Sequence, residues 1–331
     1  MIITQTPLRV SFVGGGTDFR DFYHKHDGEV ISTAIDKYVY VIIKERYDSL
    51  IYLNYSKKEI VNRVSELEHD LIREAMRKTG VTHGVEITTL ADIPAHGSGL
   101  GSSSCVTIGT LNALYAYQGV SKTAEDLAQE ACEIEIEVLG RPIGKQDQYI
   151  AAYGGLRHIQ FQRDESVIVE SLPISQETKR KLNTNTLLFY TGIERKASDI
   201  LAEQQRNIEK NLDILCEMKA LVRELKGILV NRPNKDHHSL DEFGHLLHWG
   251  WNLKQKLASA ISNAQLNEIY DEARKKGALG GKLLGAGGGG FLLFYAPPER
   301  HDEIRSVLAN LQEFPFNLER DGSKIILNIR R

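Results

Sequence analysis

Cysteine is scarce in this chain. Cys105, Cys132 and Cys216 are the only three in 331 residues, with neither paired metal-ligand spacing nor the density of a disulfide framework. All three fall in stretches that read as helical, which excludes a disulfide-stapled secreted scaffold and points to a reducing cytoplasm. An excess of one charge sign is lacking as well. With a formal net charge of -3 there is no overall basic field to draw in nucleic acid or an anionic membrane, so any phosphate must be met locally. No apolar run reaches the ~20 residues of a membrane span, and the N-terminal segment lacks the basic stretch and apolar core of a secretion signal. There is no fixed-period repeat and no long low-complexity tract.

What is present is the balance of an ordinary globular protein, 41% hydrophobic and 26% charged. The length predicts two packed domains, since domains usually run ~100–200 residues. The first half is rich in strand signals: Ile2 to Thr6, Leu8 to Val13, Tyr38 to Lys44, Leu50 to Tyr55 and Val85 to Leu90. Helical spacing marks Ser65 to Lys78 and Thr123 to Leu139, closed by Gly80 and Gly140, and small and apolar residues mark Ser102 to Tyr117. Short strands are expected near Leu156 to Gln160, Ser166 to Glu170 and Thr186 to Tyr190. Helices follow over Lys196 to Val230, Ser239 to Ala260 and Asn263 to Lys276, then a strand at Phe291 to Tyr295, a helix near Pro298 to Leu311 and a strand near Lys324 to Ile329.

Glycine concentrates in three loops: Gly14-Gly-Gly-Thr-Asp18, Gly97-Ser-Gly-Leu-Gly-Ser-Ser-Ser104 and Gly285-Ala-Gly-Gly-Gly-Gly290. In the middle one, glycines follow a predicted strand and serines open a predicted helix. Unpaired N–H groups and the positive helix end then converge on one point, which suits phosphate. No Walker A string occurs. Gly285 to Gly290 does satisfy the spacing of a dinucleotide fingerprint, but such a fingerprint must open a helix and Phe291 to Tyr295 reads as a strand.

These three loops resemble, in order, the signatures of the GHMP kinases, named for galactokinase, homoserine kinase, mevalonate kinase and phosphomevalonate kinase. The middle one, Pro94-Ala-His-Gly-Ser-Gly-Leu-Gly-Ser-Ser-Ser104, is one residue longer than the family pattern, and the outer two are similar to Thr6 to Asp18 and Lys282 to Gly290. Gly14-Gly-Gly-Thr-Asp18 departs from the galactokinase string. Together with Ile143 to Tyr149 and Tyr190 to Ser198 it most resembles the heptose 7-phosphate kinases, with L-fucokinase domains as near relatives.

The resemblance implies an α+β fold of two domains: residues 1–175 a mixed N-terminal domain with the ATP loop, residues 176–331 a ferredoxin-like C-terminal domain, with the site in the cleft between them. It implies ATP as co-substrate, Mg²⁺, a sugar phosphate as acceptor, phosphorylation at the anomeric hydroxyl, and no nucleic-acid or membrane partner. A homo-oligomer is left open. A kinase of an unphosphorylated sugar and a non-catalytic ATP- and sugar-binding sensor are the rival readings.

Residue by residue, Asp147 matches the aspartate that the family places beside the acceptor hydroxyl, with Arg9 as its cationic assistant. Gly97, Ser98, Gly99, Leu100, Gly101, Ser102, Ser103 and Ser104 are assigned to the nucleotide, and Ser103 with Glu135 to the metal. Glu133, Glu135 and Glu137 cannot all face one ion from a helix, so Glu135 is chosen by its position before Gly140. Gly15, Gly16, Thr17 and Asp18 are assigned to the sugar. Lys145, Arg195 and Lys196 are candidates for a distal phosphate on the acceptor. His237, His238 and the histidines near Trp249 lack ligand spacing and are read as a helix cap and helix packing.

Overall fold

The computed structural model describes residues 1–93, 97–193, 197–230 and 240–329. In chain order the elements are β1 (Ile2–Val13), α1 (Arg20–His26), β2 (Gly28–Glu45), β3 (Ile51–Asn54), β4 (Lys58–Val61), α2 (Asp70–Thr79), β5 (Val85–Ala91) and α3 (Ser102–Gln118). Then come α4 (Ala124–Cys132), a π-helical turn (Glu133–Val138), α5 (Gln146–Tyr153), β6 (Leu156–Phe161), β7 (Val167–Ser171), α6 (Gln176–Asn185) and β8 (Thr186–Tyr190). The rest is α7 (Ala197–Arg206), α8 (Leu212–Val230), α9 (Asp241–Lys254), α10 (Ala264–Lys275), β9 (Gly280–Leu283), β10 (Phe291–Tyr295), α11 (His301–Val307), β11 (Gln312–Glu313) and β12 (Lys324–Asn328).

β2 organises the larger sheet. Residues 31–34 and 38–43 pair antiparallel with β1, while its other edge is shared by β6 over residues 28–33 and by β5 over 39–45. The eight strands run β12-β1-β2-β5-β3-β4, with β6 and β7 branching from β2. The second sheet is β11-β8-β10-β9, antiparallel throughout. α8 and α9 lie between the sheets, α8 against β1 and β2 and α9 against β9 and β1. This is the α+β architecture of two sheets and flanking helices. The chain end crosses back: β12 pairs with β1 through Ile2–Asn328 and Gln5–Lys324.

α3 is the central helix, packed on β1 and β2 and covered by α2, α4 and α5. It is apolar or small on nearly every face, as a buried helix must be. Cys105, Ile108, Leu111 and Leu114 are fully buried, and each larger aliphatic side chain contributes on the order of 2 kcal/mol by leaving water. Thr4 donates to the Gly109 carbonyl (2.9 Å), which lets the helix sit close to β1.

The structure departs from the sequence expectations in three informative places. The helix expected over Thr123 to Leu139 changes to π geometry at Glu133, with the Leu139 N–H bonded to Ile134 five residues back. The long helix expected up to Val230 is broken between Arg206 and Leu212, where the Asn211 side-chain amide donates to the Leu257 carbonyl (3.0 Å). The glycine-bearing stretch before Gly155 holds a helix, α5. As expected, Gly285 to Gly290 leads into the strand β10 and not a helix.

Candidate active site

A cleft of about 930 Å³ opens between the first sheet and a second lobe, made of α7, α8, α9 and the second sheet with its glycine loop. Its reacting end is built from four parts, namely β1, the loop before α3, the π turn with its following loop, and the first turn of α5, with the start of α2 beside them. The loop before α3 takes positive φ at Gly97, Gly99 and Gly101, so its backbone curls and delivers the N-terminus of a 17-residue helix to the cleft wall. The N–H groups of Ser102 to Ser104 have no intrahelical acceptor and form the positive pole of that helix. Ser102, Ser103 and Ser104 line the cleft. Leu100 does not. It is fully buried, so the expectation that it touches the nucleotide is corrected: its side chain anchors the loop in the core.

The third glycine loop braces the middle one. A Cβ at Gly99 would lie 2.6 Å from the Leu284 carbonyl, and one at Gly285 would lie 2.5 Å from the Gly99 Cα. Phe291 N–H donates to the Ser98 carbonyl (3.2 Å), and Lys254 donates to the carbonyls of Leu283 and Gly285 (2.8 and 2.5 Å). The second lobe thus holds the loop through backbone that only glycine permits to approach.

Arg9 and Asp147, 138 residues apart in sequence, form a two-pronged pair: Nε and Nη2 of Arg9 each donate at 2.7 Å to a different Asp147 oxygen. Arg9 Nη1 donates to the Gly99 carbonyl (2.6 Å), linking the pair to the loop. Asp147 keeps 25% of its side chain exposed to the cleft. A carboxylate offers about four acceptor sites, so two remain for an incoming hydroxyl.

The π turn separates the three glutamates. Glu133 pairs with Lys78 and Glu137 with Arg20, both at the surface, whereas Glu135 is fully buried and lines the cleft. One Glu135 oxygen accepts from Ser104 (3.1 Å), and the other has no hydrogen-bond partner. Burial pushes Glu135 up to about 7, against the opposing charge of Arg141. An unpaired buried carboxylate oxygen facing a phosphate-shaped loop suits a divalent cation. No cluster of three His, Cys, Asp or Glu side chains is placed to hold an ion among the described residues, so an ion here would need phosphate and water as its remaining ligands, which is how Mg²⁺ is usually held.

Other assignments divide. Asp18 is 2% exposed and lines the cleft, yet its carboxylate already accepts from Gly16 N (2.9 Å), Gln146 N (3.2 Å) and Gln146 Nε2 (3.1 Å), leaving about one acceptor site for sugar. Burial raises its pKa. Gly15 and Gly16 line the cleft. Thr17 turns inward, its hydroxyl bonding the Gly14 and Glu29 backbone, so it is corrected to a structural residue. Lys145 is likewise displaced: its amine pairs with Glu165 beside the Tyr23 ring, outside the cleft. Arg195, Lys196, His237 and His238 lie outside the described residues.

Sequence reasoning missed four cleft groups. Arg141 donates to the Ser103 hydroxyl (2.6 Å) and to both Asp70 oxygens (3.0 Å), placing a cation beside the phosphate loop. His69, set edge-on to Tyr55, has a buried Nδ1 without a partner. The Ser11 hydroxyl and the Gln146 carbonyl oxygen are orphaned in the same way. Ser11 and Gln146 lie inside strings that carry the family resemblance, but nothing in those strings marks them as unpartnered, and only the three-dimensional meeting of β1, α2, the loop after the π turn and α5 reveals all four.

Residues 59–155 match the family model "GHMP kinases N terminal domain", and 201–314 match "GHMP kinases C terminal". The D-glycero-alpha-D-manno-heptose 7-phosphate kinase of Campylobacter jejuni is 30% identical over 98% of both chains. The chain belongs to the GHMP kinases. It is therefore a phosphotransferase with an alcohol acceptor, and GHMP kinases use ATP as co-substrate. The L-fucokinase/L-fucose-1-P guanylyltransferase of Bacteroides fragilis is 29% identical over 92% of this chain and 35% of that protein. A crystal structure described as a D-glycero-D-manno-heptose 1-phosphate kinase, from Bacteroides thetaiotaomicron, superposes with a TM-score of 0.82 at 26% identity, covering 100% of both chains. No helix among the described residues is long and apolar enough to cross a membrane.

Lys282, in the third signature of this GHMP kinase, gives a pH test of the cleft. It is fully enclosed at the cleft floor, with its amine donating to the Phe12 carbonyl (2.8 Å). Burial, aided by the Arg9 charge, lowers it to about 7. The unfolded chain, with an ordinary lysine near 10.4, then binds more protons than the folded one between about pH 7 and 10, so this group adds stability as pH rises through that window. Lys282→Met should remove a slope of up to about 1.4 kcal/mol per pH unit. Urea unfolding at pH 7, 8 and 9 checks this: the wild type should gain on the variant at each step, and a constant difference would contradict the assignment.

Proposed function

We propose that this kinase phosphorylates the anomeric hydroxyl of a sugar phosphate, D-glycero-D-manno-heptose 7-phosphate, to give the 1,7-bisphosphate. The observation that carries the reading is the Arg9–Asp147 pair set directly against the Gly97 to Ser104 loop, with a wall of polar groups beside it. The full-length likeness to a relative named for that substrate supports the acceptor.

In this reading the loop and the α3 N-terminus hold the ATP phosphates, and Arg141 adds charge at Ser103. The acceptor hydroxyl sits on Asp147, its oxygen attacks the γ-phosphorus, the bond to the bridging oxygen breaks, and ADP leaves. The hydroxyl proton passes to Asp147 late, because a sugar hydroxyl is far less acidic than a carboxylic acid. Arg9 orients the carboxylate and stabilises charge on the transferred group. Ser103 and Glu135 would hold Mg²⁺, which neutralises phosphate charge.

The experiment is ADP release with ATP and Mg²⁺ against the heptose 7-phosphate, the unphosphorylated heptose, L-fucose, galactose and mevalonate. Turnover confined to the phosphorylated heptose supports the reading. Turnover of L-fucose would replace it with the reading favoured by the fucokinase relative, and ATP binding without turnover would favour a sensor.

A further inference from the structure

Buried polar atoms without a partner are costly, and a folded protein keeps few of them unless something else completes the bond. Eight side-chain atoms of this kind occur among the described residues, and four, on Ser11, His69, Glu135 and Gln146, line the one cleft. Glu135 and His69 sit on the nucleotide side. Ser11 and Gln146 lie elsewhere, next to the reacting pair.

Arg9 and Ser11 are two residues apart on β1, in unbroken register with Ala34 and Ser32 of β2, so their side chains project from the same face. Gln146 and Asp147 are consecutive in the first turn of α5. The structure therefore sets two pairs side by side: Arg9 with Asp147, and Ser11 with Gln146. The Gln146 amide is oriented by Asp18, whose carboxylate also accepts two backbone N–H groups and takes the NH₂ end (3.1 Å). Its carbonyl oxygen is left as a fixed acceptor. Between the two side chains stands Gly15, where an added Cβ would lie 3.6 Å from Gln146 Nε2 and 3.8 Å from Ser11 Oγ. Gly15 does not have a positive φ. Neither its backbone nor packing demands glycine, and the bare position lies on the cleft wall between the two side chains.

We infer that Ser11 and Gln146, with Gly15 between them on the cleft wall, read the hydroxyl on the carbon next to the one phosphorylated, so that this kinase selects acceptors bearing vicinal hydroxyls. The inference rests on the sugar-kinase reading above. One acceptor hydroxyl donates to Gln146 Oε1 and accepts from Ser11 Oγ, closing two orphaned bonds at once. An alcohol with no hydroxyl on the neighbouring carbon leaves both open, and sites built to pair a substrate hydroxyl discriminate strongly against analogues that lack it.

The test compares kcat/KM for whichever sugar of the panel is turned over and for its 2-deoxy analogue, in wild type, Ser11→Ala, Gln146→Leu and Gly15→Ala. Wild type should prefer the hydroxylated sugar by about a hundredfold. Ser11→Ala and Gln146→Leu should each lose about tenfold on that sugar while changing little on the 2-deoxy analogue, with KM for ATP unchanged. Gly15→Ala, which the backbone tolerates, should raise KM for the sugar. Equal losses on both sugars would show that Ser11 and Gln146 act only through the fold and would overturn the inference, as would a wild type indifferent to the deoxy position. A wild type that turns over no sugar at all would instead overturn the reading on which it rests.

Discussion

Asp147→Asn should lower kcat by about 10³-fold while ADP still binds. An asparagine retains the shape but presents an NH₂ group to a guanidinium that can only donate, so one of the two Arg9 bonds is lost. The amide can no longer take the acceptor proton. Arg9 stays tethered by the Gly99 carbonyl, so the loop that receives the nucleotide keeps its form. Single-turnover kinetics with calorimetric ADP titration separates the two effects. A kcat within tenfold of wild type would remove Asp147 from the chemistry, and loss of ADP binding would show that the pair is instead a structural clamp on the loop.

Gly99→Ala is the second large effect. The substitution combines a φ of +76 with a Cβ only 2.6 Å from the Leu284 carbonyl, so backbone strain and a collision between the lobes arrive together. The nucleotide loop must move away from the third glycine loop, and kcat/KM for ATP should fall about a hundredfold. Gly80→Ala is the matched control. Gly80 closes α2 at φ +73 with nothing within 4 Å of its Cβ position, so it should cost about 1 kcal/mol of stability and leave ATP kinetics alone. If both variants behave alike, conformational strain accounts for everything and the brace between the lobes does not matter.

How far the sequence shows this site depends on how local each signal is. The glycine loops are contiguous strings whose need for positive φ is written in consecutive residues, and the middle one opens a helix and the third leads into a strand in the structure. Glu135 is legible only by its distance from Gly140, because the π turn that hides it and exposes Glu133 and Glu137 has no signature in a run of alternating Glu and aliphatic residues. The first half of β2 is invisible for another reason. Residues 28–35 are buried on both faces, so the alternation that marks a half-exposed strand is missing. Lys145 is a candidate in the sequence only because a phosphorylated acceptor calls for further cations, yet at the start of α5 its amine turns to Glu165. Gln146, the next residue, faces the cleft because of Asp18, 128 positions away. Such partners are set by the fold and not by neighbours in the chain.

The most direct measurement is a phosphorus–proton correlated NMR spectrum of the product made from ATP, Mg²⁺ and D-glycero-D-manno-heptose 7-phosphate. The account predicts one new phosphate coupled to the anomeric proton with the 7-phosphate retained. A new phosphate on any other carbon, or no product with an enzyme that binds ATP, would contradict it.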